Sequence, residues 1–195
     1  MTAAAGLEDF QRVNAQFLGS NSDTPPAQTT NWKPPPVNMV KVNWDAAIDK
    51  KNSCVGIGIL ARDANGQFMA ACGLKKKTLR DPTVAEAFAT LHTVLFANEL
   101  GFEHVIFEGD ALTVVKAINS TDTCESSYGH FVEDVKRSRS EIAISSFVHV
   151  LRGANSAAHN LANEACTHVT DICQWHLIPP CIGDIIRKVG TLLSS

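Results

Sequence analysis

The segment from Pro82 to Asn98 constrains the fold more than any other, because it combines a helical pattern with almost no charge. Glu86 is its only Asp, Glu, Lys or Arg. Asp81 followed by Pro82 is a typical helix start, with a capping side chain before a proline at the first helical position. One side of this helix is apolar and the other carries small and hydroxyl residues: Val84, Phe88, Leu91 and Leu95, opposite Ala85, Ala89, Thr90, Thr93 and Ala97. Since a surface helix normally has a charged outer face, this helix is predicted to be covered on both sides.

The residues before this helix predict three strands in an antiparallel meander. Residues 41–48 alternate between apolar and more polar positions, and Lys41, Asn43 and Asp45 lie on the second side. Residues 54–61 form a second run rich in β-branched side chains. Residues 63–66 read Asp-Ala-Asn-Gly, which predicts a turn before a returning strand over residues 67–74.

The residues after the helix predict an alternation of strands and helices. Residues 105–107 are a short apolar strand of the kind found in parallel sheets, and residues 147–151 are the last strand. Helices are predicted over residues 111–119, 128–141 and 156–169. The order predicts one α/β domain over residues 37–170, with a mixed sheet. Residues 1–36 are predicted to be a largely disordered leader in which residues 6–17 can form a short helix. Residues 171–195 are predicted to be a tail with room for another.

Composition limits the classes of function. The formal net charge is -3, whereas a protein that coats DNA is usually strongly basic, so binding driven by overall charge is not expected. No apolar run reaches the roughly 18 residues of a membrane span. The first ten residues lack the basic start and apolar stretch of a secretory signal. We therefore expect an intracellular protein, in the cytoplasm or the nucleus.

Three carboxylates are candidates for metal ligands. Asp45 lies in the middle of a strand, where Asp is uncommon. Glu86 needs a partner in its uncharged surroundings, and the alternatives are a metal ion or an ordinary hydrogen bond. Asp110 follows a strand and precedes a helix, so it is a helix N-cap, a site residue at a strand end, or both. If the strands are neighbours, these side chains converge. They would then hold two divalent cations about 4 Å apart, an arrangement that hydrolyses phosphodiesters.

Short motifs occur along the chain in this order: Lys-Val-Asn-Trp-Asp-Ala-Ala at 41–47, Gly-Ile-Gly at 56–58, Arg-Asp-Ala-Asn-Gly at 62–66, Ala-Glu-Ala at 85–87, Glu-Gly-Asp at 108–110, Arg-Gly-Ala-Asn at 152–155 and Ala-His-Asn-Leu-Ala at 158–162. Together these motifs resemble ribonuclease H-like domains. The closest likeness is to the plant-type group related to the C-terminal domain of non-LTR retrotransposon reverse transcriptases. The resemblance covers residues 37–169, and residues 175–180 are similar to that group's tail. The resemblance implies a ribonuclease H-like fold, with a five-stranded mixed sheet flanked by helices.

The resemblance also implies an activity and a set of site residues. The activity is cleavage of the RNA strand of RNA–DNA hybrids with Mg²⁺ or Mn²⁺ in a two-metal site. The metal ligands and catalytic residues are then Asp45, Glu86, Asp110 and, at the fourth position, His159. Active members often have an acidic residue at that position. Imidazole favours softer ions than Mg²⁺ and brings no negative charge, so a weakened second metal site is expected. The alternative for His159 is a histidine that flanks the core without a ligand.

A second group of residues is expected to contact the nucleic acid: Asn43, Lys75, Lys76, Lys77, Arg152 and Asn155. Arg152 suits a phosphate, although a solvated side chain is an equal alternative. Asn155 is a helix N-cap, a substrate contact, or both. The three lysines form, with Arg80, the one dense basic run of the chain. Such a run can follow a nucleic-acid backbone, but a solvated loop is the more common case.

Two other functions remain open at this point. One is a hybrid- or RNA-binding module that has lost turnover through His159. The other is a retrotransposon-derived module that binds a protein. A dinucleotide-binding enzyme is disfavoured, because the glycines at 56 and 58 lie within a strand and no third glycine opens a helix. A serine hydrolase is disfavoured because no Gly-x-Ser-x-Gly occurs, and a cysteine hydrolase because no Cys has an evident His partner.

Overall fold

The computed structural model describes residues 31–77, 81–168, 172–175 and 177–187. The alternating and β-branched segments form strands, and the segments with helical spacing form helices that cover both faces of the sheet. The strands are β1 (Val40–Asp49), β2 (Cys54–Arg62), β3 (Phe68–Lys77), β4 (His104–Gly109), β5 (Ile144–His149) and β6 (Ile172–Trp175). The helices are α1 (Pro82–Glu99), α2 (Leu112–Asn119), α3 (Gly129–Ser138) and α4 (Ser156–Thr167), with 3-10 turns at Arg139–Glu141 and Pro180–Ile182.

The sheet has the strand order β5-β4-β1-β2-β3-β6. Strands β1, β2 and β3 form the predicted antiparallel meander, and β4 and β5 pair in parallel with β1 and with each other. These five strands confirm the predicted mixed sheet. The sixth strand, β6, pairs antiparallel with residues 71–74 of β3 and extends the sheet beyond residue 170, into the predicted tail. Four residues are too few to show a strand period in the sequence, so this pairing was not predicted.

Helix α1 lies against the sheet through its small residues. Asp81 accepts hydrogen bonds from the backbone N–H groups of Thr83 and Val84, as the sequence predicts for this cap. The small side of the helix is fully buried: Ala85, Ala89, Thr90, Thr93 and Ala97. The opposite side is covered only in part, because Phe88 packs edge to face on Phe131 of α3 while Leu95 is 43% exposed. The carboxylate of Glu86 therefore comes from a helix that is held close to the sheet.

Helix α4 covers the other face of the sheet and contacts the backbone of β2. A Cβ atom at Gly56 would clash with the carbonyl oxygen of Ala162, and one at Gly58 with that of Ala158. Glycine at these two positions is thus what allows α4 to approach β2 so closely. A second, smaller apolar core forms on this face and includes two residues of the tail: Leu60, Ala71, Ala157, Leu161, Ile182 and Ile186.

The segment before β1 also contacts the domain. The guanidinium carbon of Arg62, at the end of β2, lies 3.6 Å from the ring centroid of Trp32. The carbonyl oxygen of Lys33 accepts a hydrogen bond from the Lys41 ammonium group. The helix predicted over residues 6–17 lies outside the described residues. Among the helices that the structure describes, none has the length and apolar character to cross a membrane.

Candidate metal centre

The strands β1 and β4 part at one end, and the place where they part is called the cleft below. Their parallel pairing ends at Asn43 and Glu108, and beyond this point β1 continues only with β2. Asp45 follows two residues later in β1, and Asp110 follows two residues after Glu108. Gly109 lets the chain pass the Trp44 ring, because a Cβ atom there would overlap the ring. Both carboxylates therefore lie at the carboxyl end of a parallel pair, where α/β sheets commonly place their sites.

Three carboxylates converge in this cleft. Asp45, Glu86 and Asp110 each offer one oxygen, and these oxygens all lie within 4.8 Å of one another. Glu86 reaches the cleft from α1, and its Oε1 accepts a hydrogen bond from the backbone N–H of Ala46 at 3.4 Å. The Asp45 side chain is fully buried, and that of Asp110 is 15% exposed. The structure thus brings together the three carboxylates that were singled out in the sequence.

The electrostatics of this group favour a bound cation. Burial raises the pKa of Asp45 to about 6, and the charge of Asp110 adds to the rise, against the contacts with His159 and Arg152. Burial and the charges of Asp45 and Asp110 raise the pKa of Glu86 well above its usual value. Glu86 Oε2 is buried, with no hydrogen-bond partner among the described residues. A hard divalent cation prefers oxygen ligands and would relieve both the repulsion and the missing contact, so these residues fit such an ion.

Arg152 lies on the turn before α4 and contacts the same carboxylates. Its Nη1 is 2.7 Å from Asp45 Oδ1 and 2.7 Å from Asp110 Oδ2. These are charge-assisted hydrogen bonds of short length. The sequence predicted that Arg152 contacts the nucleic acid, but it gave no sign of this contact with two candidate metal ligands.

His159, on α4, contacts the other oxygen of Asp45. Its Nδ1 lies 2.7 Å from Asp45 Oδ2, and its Nε2 lies 3.0 Å from the amide nitrogen of Asn163. Nδ1 also lies 2.8 Å from Arg152 Nη2. A carboxylate oxygen requires a donor at Nδ1, whereas a guanidinium nitrogen requires an acceptor there, so these contacts are compatible with either tautomer of the ring. His159 is not part of the group of ligand atoms within 4.8 Å of one another. Asn163 was not predicted, although its spacing of four residues from His159 places it on the same helix face.

Residues 43–165 match the model of a protein family described as reverse transcriptase-like. The chain belongs to this family. A search of curated proteins found no match.

Among solved structures, the chain is similar to ribonuclease H1 from Halobacterium salinarum, with 24% identity and a TM-score of 0.59 over 65% of this chain and 96% of that one. It is also similar to LC11 ribonuclease H1, solved in complex with an RNA/DNA hybrid, with 19% identity and a TM-score of 0.58 over 65% and 96%. The foamy viral protease-reverse transcriptase in complex with an RNA/DNA hybrid matches at 14% identity and a TM-score of 0.52, over 75% of this chain and 22% of that one. The fold is therefore ribonuclease H-like.

Two buried amides support the cleft of this reverse transcriptase-like chain. Asn155 occupies the N-cap position of α4, but its side chain makes no capping hydrogen bond. It donates instead to the Trp44 carbonyl oxygen at 2.7 Å and to Asp110 Oδ1 at 3.5 Å. Asn43 donates to Asn155 Oδ1 at 3.3 Å. Both side chains are fully buried, so in this conformation they offer no exposed surface to a nucleic acid.

A buried ionic network lies beneath these amides. Glu108 Oε1 pairs with the Lys41 ammonium group at 2.7 Å, and its Oε2 accepts from Asn43. Glu108 is therefore a core residue and is not among the three carboxylates of the cluster. The guanidinium group of Arg62 donates to Asn43 Oδ1 at 2.8 Å. The burial of Arg62 could not be predicted from the sequence, because a charged residue beside a turn is usually solvated.

The three consecutive lysines do not point in one direction. Lys75 donates to the carbonyl oxygen of His168 at 3.0 Å, after α4. The Lys76 ammonium group lies 5.9 Å from the ring centroid of Phe88, which belongs to α1 on the other face. Lys77 is exposed at the end of β3. Successive strand residues alternate between faces, so this run forms no single basic patch on one face.

Proposed function

We propose that this chain is a metal-dependent endoribonuclease that cleaves the RNA strand of RNA–DNA hybrids. The observation that carries the proposal is the convergence of Asp45, Glu86 and Asp110, with oxygens within 4.8 Å of one another, where β1 and β4 part. The two similar proteins solved with an RNA/DNA hybrid support this choice of substrate class.

The three carboxylates would hold Mg²⁺ or Mn²⁺, and His159 is the proposed fourth ligand. Two divalent cations in such a site would lower the pKa of the attacking water and stabilise the leaving oxygen of the phosphodiester. The Asn155 amide donates hydrogen bonds to Asp110 Oδ1 and to the carbonyl oxygen of Trp44, the residue before Asp45. These two contacts are proposed to hold the carboxylates of Asp45 and Asp110 in their relative positions. His159 Nδ1 is in contact with Asp45 Oδ2 and Arg152 Nη2, and a cation that His159 ligates through this atom would have to displace both contacts. We therefore expect a weaker second metal site than a fourth carboxylate would give.

Contacts with the nucleic acid are proposed for residues at the mouth of the cleft. The Arg152 side chain is 55% exposed and can present its guanidinium group to a phosphate. Lys76 and Lys77 are exposed on opposite faces of β3, and each is proposed as a separate contact with the backbone of the hybrid beyond the cleft. The proposed roles of Asn43 and Asn155 are to position the carboxylates, because both are buried.

A second function is favoured by the surroundings of Asp45. The contacts of Arg152 and His159 with its two oxygens already offset part of its charge. The alternative is therefore a module that binds nucleic acid, or a protein, with little or no turnover.

The first experiment measures cleavage of a labelled RNA–DNA hybrid by the purified protein in Mg²⁺ and in Mn²⁺. Asp110→Asn is expected to reduce the rate by more than about a hundredfold, since residues that merely orient metal ligands are worth about 10- to 100-fold. Asp122→Asn is the matched control, because Asp122 is exposed and lies outside the cluster. No cleavage by the folded protein in either metal would contradict the endonuclease proposal and favour the binding module.

A further inference from the structure

The guanidinium group of Arg152 lies among the atoms proposed to hold the metal. One nitrogen, Nη1, is 2.7 Å from oxygens of both Asp45 and Asp110. The lone pairs that accept these hydrogen bonds belong to the same two carboxylates that a divalent cation would use. A cation and a guanidinium group that share these oxygens also repel each other, strongly so beside the buried Asp45.

The backbone of Arg152 is held in place, whereas its side chain has a route out of the cleft. The backbone N–H of Asn155 donates to the carbonyl oxygens of Leu151 and Arg152, which closes the turn before α4. Asn155 itself is buried and bonded to the Trp44 carbonyl oxygen. The Arg152 side chain is 55% exposed, so rotation about its own bonds carries the guanidinium group towards solvent without moving the turn. A phosphate at the mouth of the cleft would be its next partner.

We propose that Arg152 couples metal binding to nucleic-acid binding, an inference that rests on the proposed function. Without nucleic acid, its guanidinium group bridges Asp45 and Asp110 and weakens the binding of a divalent cation. A bound phosphodiester draws the guanidinium group away and leaves both carboxylates to the cation. By thermodynamic linkage, each ligand then raises the affinity of the protein for the other by the same factor.

The test measures the dissociation constant of Mn²⁺ by calorimetry, with the full chain alone and with a hybrid whose RNA strand is 2′-O-methylated to resist cleavage. For the unmodified protein, the hybrid is expected to tighten Mn²⁺ binding by about tenfold, within the usual range of coupling between sites. Arg152→Gln is expected to bind Mn²⁺ about tenfold more tightly than the unmodified protein when no hybrid is present, and to lose most of the further gain from the hybrid.

Arg137→Gln is the matched control. Arg137 is exposed and pairs with Asp134 on α3, so this change removes the same charge without touching the three carboxylates. It is expected to leave both dissociation constants unchanged. Equal Mn²⁺ affinity in Arg152→Gln and the unmodified protein, with Mn²⁺ bound by both, would overturn the coupling and leave the proposed function standing. No Mn²⁺ binding by either protein, with or without the hybrid, would overturn both.

Discussion

Replacing Asp45 by Asn is expected to stabilise the metal-free protein while it removes a proposed metal ligand. Asp45 is fully buried, and burial together with the charge of Asp110 raises its pKa from the usual 3.8 to about 6. This rise remains after the favourable contacts with His159 and Arg152. A shift of about 2 pKa units means that the ionised carboxylate costs the folded state about 3 kcal/mol relative to the unfolded chain.

The sign of the effect gives it a distinct pH dependence. Because the folded pKa of Asp45 lies above its unfolded pKa, its destabilising effect is complete above about pH 6 and absent below about pH 3.8. Asn does not ionise. The free energy of unfolding of Asp45→Asn should therefore exceed that of the unmodified protein by about 1–3 kcal/mol at pH 8. The difference should shrink towards zero near pH 4.

The assay is urea unfolding in EDTA, followed by circular dichroism at several pH values from 4 to 8. Asp49→Asn, at the end of the same strand, is the control, because its expected change in the free energy of unfolding at pH 8 has the opposite sign. Hydrogen bonds from Asn52 and Lys51 lower the pKa of Asp49, so its loss should reduce stability at pH 8. The reasoning would be refuted if Asp45→Asn were no more stable than the unmodified protein at pH 8, or if its advantage did not fall with pH.

Two further substitutions test how the cleft is supported, both by urea unfolding. Gly58→Ala places a Cβ atom against the backbone of Ala158, and we expect a loss of about 1–3 kcal/mol because a packed helix must move. An unchanged stability would show that α4 is not held this closely. Trp32→Ala removes the ring that lies 3.6 Å from the Arg62 guanidinium carbon, with an expected loss of about 2 kcal/mol. Trp32→Phe should lose less, and equal losses would exclude the cation–π contribution.

The sequence predicted the central architecture because its signals are local. The period of two in β1, the turn at 63–66 and the Asp81-Pro82 helix start each lie within a few residues, and the structure has all three. The three carboxylates were predicted for a related reason, since each is unusual beside its own neighbours. Their oxygens lie within 4.8 Å of one another because β1 and β4 are neighbours in the sheet.

The features that were not predicted depend on distant pairs. Arg152 and Asp45 are 107 positions apart, and no local pattern distinguishes this arginine from a solvated one. The burial of Arg62 depends on Trp32 and Asn43, which belong to other segments. Strand β5 begins at Ile144, three residues before the predicted start at residue 147. The start was placed too late because Ser145 and Ser146 interrupt the apolar run in the sequence. In each case the partner decides the structure, and the partner is far away in the sequence.

The pairing of β6 with β3 has a consequence for association between molecules. Without residues 172–175, the backbone N–H and C=O groups of β3 at residues 71–74 would lose the partner strand that they now have. An open strand edge of this kind is a template on which another chain can add a strand. With β6 in place, the edge of the sheet on this side is a strand of only four residues, and a short edge strand is a poorer template for another chain.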